Sequence, residues 1–115
     1  MNELSEFLCE INELSHLKTK AIYSTLYQKK VIVLLFDQQI YAWLDACPHY
    51  VQATPMSWKS DHYLSEDKKF IQCFAHGALF DFQTGHCIKG PCIGQKLTEV
   101  KIAIVNNQLF CLRKI

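Results

Sequence analysis

The sequence predicts an all-β domain, a sandwich or barrel of short antiparallel strands. Three observations lead there. Short β-branched and aromatic runs recur along the chain, polar turn residues separate them, and no long stretch has a clear helical period. Turn chemistry is also unevenly spread: Gly77, Gly85, Gly90 and Gly94 fall within 18 residues, and Pro48, Pro55 and Pro91 all follow residue 46. The first part of the chain is therefore the more regular.

Residues 2–17 are the one place where a helical turn or short helix is expected. Residues 20–26 alternate Ile22, Ser24 and Leu26 against Tyr23, Thr25 and Tyr27, a strand pattern. Residues 31–36 (VIVLLF) read as a buried strand, Asp37-Gln38-Gln39 as a polar turn, and 40–44 (IYAWL) as the returning strand of a hairpin. Residues 69–74, 79–82, 99–105 and 108–112 are further short strands. Asn106-Asn107 is the turn between the last two, because Asn tolerates left-handed backbone geometry.

Length and composition narrow the function. The 115 residues suffice for one domain, taken as 1–115, and half are hydrophobic, enough for a core. The 12 basic and 11 acidic residues leave a net charge of +1, against the basic excess of a nucleic-acid binder. The early acids Glu3, Glu6, Glu10 and Glu13 read as a solvated face. They also interrupt any apolar leader segment, and the longest apolar run, Val31 to Phe36, is too short to span a bilayer. A soluble, cytoplasmic protein is expected. Its six cysteines then point away from a disulfide framework and, where histidines stand close by, toward metal.

Two such pairs exist: Cys47-Pro48-His49 after the IYAWL strand, and Cys73-Phe74-Ala75-His76-Gly77 after another strand. Side by side, the two loops offer two sulfur and two nitrogen ligands. A tetrahedral zinc site and a binuclear iron–sulfur centre both accept that set. Each loop contributes one ligand of each type, a division that suits a binuclear centre whose two irons must both be reached.

The surroundings are more specific. Cys73-x-x-His76-Gly77-Ala78-x-Phe80-Asp81-x-x-Thr84-Gly85, followed by Gly90-Pro91 and preceded by Cys47-Pro48-His49, resembles the Rieske motif over residues 47 to 91. The resemblance implies a Rieske-like fold of three small antiparallel sheets. Its two cluster-binding loops would lie in a subdomain of about residues 46–92. It implies one [2Fe–2S] cluster held by Cys47, His49, Cys73 and His76, with Gly90-Pro91 in a loop that covers it. It further implies a single-electron carrier of the soluble ferredoxin type, an electron-transfer component rather than a stand-alone catalyst. Its redox partners would be a reductase and an oxygenase or other acceptor, with no role for nucleic acid or membrane. An accessory subunit of a larger oxidoreductase, such as nitrite reductase, and a zinc-stabilised binding module are the alternatives.

The chain departs from the family pattern in four places. Twenty-three residues separate His49 from Cys73, and the extra segment, about 53–66, carries Met56, Trp58, Tyr63 and Leu64, expected to pack on the core. Val51 stands where the family often has glycine. Gln52 and Ala75 occupy the positions of the cysteines that form a disulfide in respiratory-type members, so that bond is excluded. Ala78 and Phe80 replace a serine and a tyrosine whose hydroxyls donate to sulfur in high-potential members. Of the other candidates, His16, His62 and His86 read as surface residues, and Cys9 and Cys111 as buried small hydrophobes. Cys87 and Cys92, on either side of Gly90-Pro91, read as thiols rather than a disulfide.

Overall fold

The computed structural model describes residues 3–48, 55–57, 59, 61–74 and 77–114. Among the described residues, nine strands form three antiparallel sheets of three strands each. The first holds β1 (Glu3–Glu10), β9 (Gln108–Lys114) and β8 (Lys101–Val105), in that order. The second is a meander of β2 (Thr19–Ser24), β3 (Lys29–Phe36) and β4 (Gln39–Leu44). The third is a smaller meander of β5 (Phe70–Cys73), β6 (Ala78–Asp81) and β7 (Cys87–Lys89). The expected all-β class and its three small sheets are both present. Among the described residues no helix is long and apolar enough to cross a membrane.

The unbroken apolar run of β3 has a simple cause. It is the middle strand of the middle sheet, and both of its faces are covered. Val31 and Val33 join one core with Leu8, Cys9, Leu109 and Cys111 of the first sheet. Ile32 and Leu34 join another with Ile71, Cys73, Phe80 and Leu97. All four β3 residues are fully buried, so alternation with polar residues is not required. The hairpin to β4 turns at Asp37 and Gln38, both in the left-handed region (φ 51° and 65°), which matches the twist of the flanking strands. Asn106 and Asn107 do the same between β8 and β9 (φ 51° and 63°), as expected.

The N-terminal segment differs from the sequence expectation. Residues 3–10 are a strand, and only Ile11–Glu13 form a single 3-10 turn, closed by the Glu10 backbone N–H donating to Glu13 Oε2 at 2.8 Å. The strand is hidden in the sequence by a register shift between Phe7 and Cys9 against β9. Such a bulge turns two consecutive residues, Leu8 and Cys9, inward and erases the alternation that marks a strand. The short β7 is the other strand the pattern does not reveal.

Glu6 of β1 joins the first two sheets. Its carboxylate accepts from Ser24 Oγ at 2.6 Å, Thr25 Oγ1 at 2.5 Å, and the backbone N–H groups of Thr25 and Leu26 at 3.0 and 3.3 Å. Burial alone would raise its pKa; the four donors outweigh that and lower it from 4.5 to about 2. Nearby, Tyr27 donates its hydroxyl to the Leu112 carbonyl at 2.6 Å and carries the Arg113 guanidinium over its ring.

A depressed carboxylate pKa stabilises the fold above the unfolded value, and the gain is lost as pH falls from 4.5 toward about 2. Glu6→Gln is expected to lower stability at neutral pH by about 1 kcal/mol, roughly 4 °C. It should also flatten the acid limb of a plot of melting temperature against pH. Equal acid sensitivity in both proteins would refute this role for Glu6.

Candidate metal centre

The third sheet and the end of β4 carry the residues of interest. Cys47 follows β4 by three residues, and Cys73 ends β5; both are fully buried in the core shared by the second and third sheets. At the Cys73 loop the chain is closed by the Gly77 N–H donating to the Cys73 carbonyl at 2.7 Å, after which Ala78 pairs with Cys73 across the β5–β6 hairpin. The expected histidine ligands, His49 and His76, lie outside the described residues, as do Val51, Gln52, Trp58 and Ala75.

The two cysteines share a neighbourhood. The thiol of Cys92 is pushed up to about 12, first by burial, then by its contact with Cys87, and then by the charges of Cys47 and Cys73. Cys92 is thus within electrostatic reach of both candidate ligands, and the three loops converge. Among the described residues no three His, Cys, Asp or Glu side chains gather closely enough to hold a metal ion.

Asp45 is the residue that the sequence reading missed. It is buried, 4% exposed, two positions before Cys47. Its Oδ1 accepts the Met56 N–H at 2.8 Å and its Oδ2 the Tyr63 hydroxyl at 2.6 Å. Met56 in turn accepts the Phe74 N–H at 2.8 Å through its carbonyl, and the Tyr63 carbonyl accepts the Gln72 N–H at 2.8 Å. One carboxylate thus ties the approach to Cys47, through the extra segment, to residues on either side of Cys73. Burial and the bond to Asp45 both raise the pKa of Tyr63, so it stays a neutral donor. Met56 and Tyr63 are packed inside, as expected for that segment. An acid placed directly after an apolar strand and before Cys-Pro-His was the available signal.

The motif that follows β6 is a folding device. Asp81 Oδ1 accepts the N–H groups of Gln83 and Thr84 at 2.7 and 3.0 Å, folding the chain back after Phe80. Gly85 (φ 82°) then passes under the Trp43 ring; a Cβ there would sit 2.6 Å from Trp43 Cζ3. Trp43 is held in place by its Nε1–H donating to the Phe82 carbonyl at 2.9 Å. Gly90 (φ 108°) lies against the start of β6, where a Cβ would come 2.8 Å from Ala78 Cα. The Gly90-Pro91 loop is thereby pressed onto the end of the Cys73 hairpin.

The family model of the Rieske [2Fe-2S] domain matches residues 6–113. The chain belongs to that family. Its members are built around a [2Fe–2S] cluster with mixed cysteine and histidine ligation. Solved structures agree on the fold. The ferredoxin of carbazole 1,9a-dioxygenase from Nocardioides aromaticivorans IC177 superposes with a TM-score of 0.71 at 16% identity, covering 93% of this chain and 95% of that one. A chain from the complex of reduced oxygenase and oxidized ferredoxin in carbazole 1,9a-dioxygenase gives 0.72 at 19% identity, over 96% and 94%. A chain from the reduced complex between oxygenase and ferredoxin gives 0.75 at 18%, over 93% of this Rieske chain but 27% of its own length. No curated protein sequence matches.

His16, His62 and His86 are exposed, and Cys9 and Cys111 are buried, as read from the sequence. His62 has one notable neighbour: its ring centroid lies 4.9 Å from that of Phe74, the residue after Cys73.

Tyr63→Phe leaves one Asp45 oxygen buried without its donor and is expected to cost about 1–3 kcal/mol. Asp45→Ala orphans two donors and should cost more. It should also speed hydrogen exchange at the Met56 and Phe74 amides. Chemical denaturation with amide exchange checks both; unchanged exchange at Phe74 would show that the tether does not reach the Cys73 loop.

Proposed function

We propose that the protein is a single-electron carrier of the ferredoxin type, serving an oxygenase or related oxidoreductase system. Its cluster would be held by Cys47, His49, Cys73 and His76. The observation that carries this reading is the burial of Cys47 and Cys73 in one core, one three residues after β4 and the other at the end of β5, together with Cys92 of the loop after β7. The correspondence with a ferredoxin over 93% of this chain and 95% of that one supports a carrier. We read 1–115 as one domain, with residues 46–92 binding the cluster. A cytoplasmic location fits the unbridged thiols of Cys9, Cys87, Cys92 and Cys111.

When bound, the cluster takes up and releases one electron at a time. Two ferric ions, two sulfides and two thiolates sum to zero charge when the imidazoles are neutral, so a further electron enters more easily than into an all-cysteine centre. Cys47 and Cys73 supply the thiolates from a water-free setting, and the Asp45 tether fixes the loops that present them. Ile88 and Ile93 stand exposed, 46% and 67%, on either side of Gly90-Pro91. An apolar rim of this kind suits the small, short-lived interfaces of electron-transfer partners.

Purified protein is expected to be red-brown and to contain two irons and two acid-labile sulfides per chain. Cys47→Ser and Cys73→Ser should each lose the colour and melt at lower temperature, because cluster binding and folding share free energy. Stoichiometric zinc without sulfide in protein made with ample iron would overturn the proposal. The potential is a second check. Ala78 and Phe80, both fully buried, offer no hydroxyl to sulfur. Voltammetry should place the potential toward the lower end of roughly −150 to +300 mV. Phe80→Tyr should raise it. Ala78→Ser should do so less readily, because Gly90 lies against that position.

A further inference from the structure

We propose that Cys87 and Cys92 form a second redox site, a dithiol that closes to a disulfide on the loop beside the cluster ligands. Their sulfur atoms lie 3.0 Å apart. That is inside the contact distance of two unbonded sulfurs, and about 1 Å from the bond length of a disulfide.

The fold creates this approach. Cys87 opens β7, and the chain reverses at Gly90, whose missing side chain lets the loop lie on Ala78. Gln95 holds both ends of the reversal: its carbonyl accepts the Cys87 N–H and its own N–H donates to the Cys92 carbonyl, each at 2.9 Å. The thiols are also ordered in a row. Cys92 donates to Cys87 Sγ, and Cys87 donates to the Lys89 carbonyl at 3.4 Å. Two thiols that merely fill a core need no such alignment. Ring closure spans only six residues already held in a turn, so little further chain entropy is lost.

The chemistry is exchange with a low-molecular-weight disulfide. Cys87 is the more exposed of the two, 6% against 2%, and is the point of entry. Its thiol gives up a proton and its sulfur attacks the small disulfide, breaking that S–S bond and releasing one thiolate. Cys92 then gives up its proton and attacks the Cys87 sulfur, releasing the second thiolate. The two protons end on the two released thiols. The cysteine pair is oxidised by two electrons and the small disulfide is reduced by the same two. The site is therefore a two-electron couple beside a one-electron centre.

The inference does not depend on what fills the neighbouring loops, and the experiment reads the two separately. Full-length protein, as purified, is incubated with oxidised glutathione, quenched with iodoacetamide and digested with trypsin. Cleavage after Lys69, Lys89 and Lys96 places Cys87 and Cys92 in different peptides, 70–89 and 90–96. The expected result is a joined pair of those peptides that separates on reduction, with fragment ions placing the bond at Cys87 rather than at Cys73 of the same peptide, and with the loss of two alkylatable thiols per chain. In Cys92→Ser the reaction should stop with a single glutathione on Cys87. Both peptides recovered alkylated, or each carrying glutathione without being joined, would overturn the proposal. The visible spectrum taken before and after reports the cluster independently.

Discussion

The cluster half of this protein depends on one buried carboxylate. Asp45 sits where the last long strand of the middle sheet gives way to loops, and its two oxygens take one donor each from the segment between Cys47 and Cys73. A buried acceptor is costly unless satisfied. Here satisfaction draws Met56 and Tyr63 inward, and they in turn hold Phe74 and Gln72. The segments that flank Cys47 and Cys73 are thereby given fixed anchor points. Met56 and Tyr63, between the two cysteines, thus act as a strut.

Much of this was legible from the chain itself, for reasons that differ by element. The VIVLLF run announces a strand covered on both faces, and its hairpin partner follows after two turn residues. The family was legible because the paired cysteine–histidine motifs and the Thr-Gly and Gly-Pro that follow restrict residue type and spacing together. The first strand was not legible. A bulge placed Leu8 and Cys9 on the same side, and four acidic residues in the first thirteen suggested a solvated helix face. What makes that segment a strand is its partner about a hundred residues away, information that no local window contains. Asp45 was missed for a related reason: a charged residue reads as exposed until its two donors, both more than ten positions distant, are known.

The glycines show how a motif can be read twice. As a pattern, Thr84-Gly85 and Gly90-Pro91 identify a family. As physics, Gly85 makes room for the ring of Trp43, and Gly90 makes room for Ala78. The first contact locks the third sheet onto the second; the other lays the covering loop on the cysteine hairpin. Both serve the same end, the convergence of three loops on one small volume.

The pairing of β1 with β9 has a consequence for how the molecule is made. Glu3 lies opposite Lys114, so this sheet closes only after every residue between its first and last strands has left the ribosome. The middle meander and the cysteine-bearing meander are built from neighbours in sequence and are free to pair earlier. Synthesis thus presents the ligand loops before the base beneath them is sealed. During that interval the inward faces of Val31 and Val33 stay uncovered, and the nascent chain is at its most vulnerable to association with other chains.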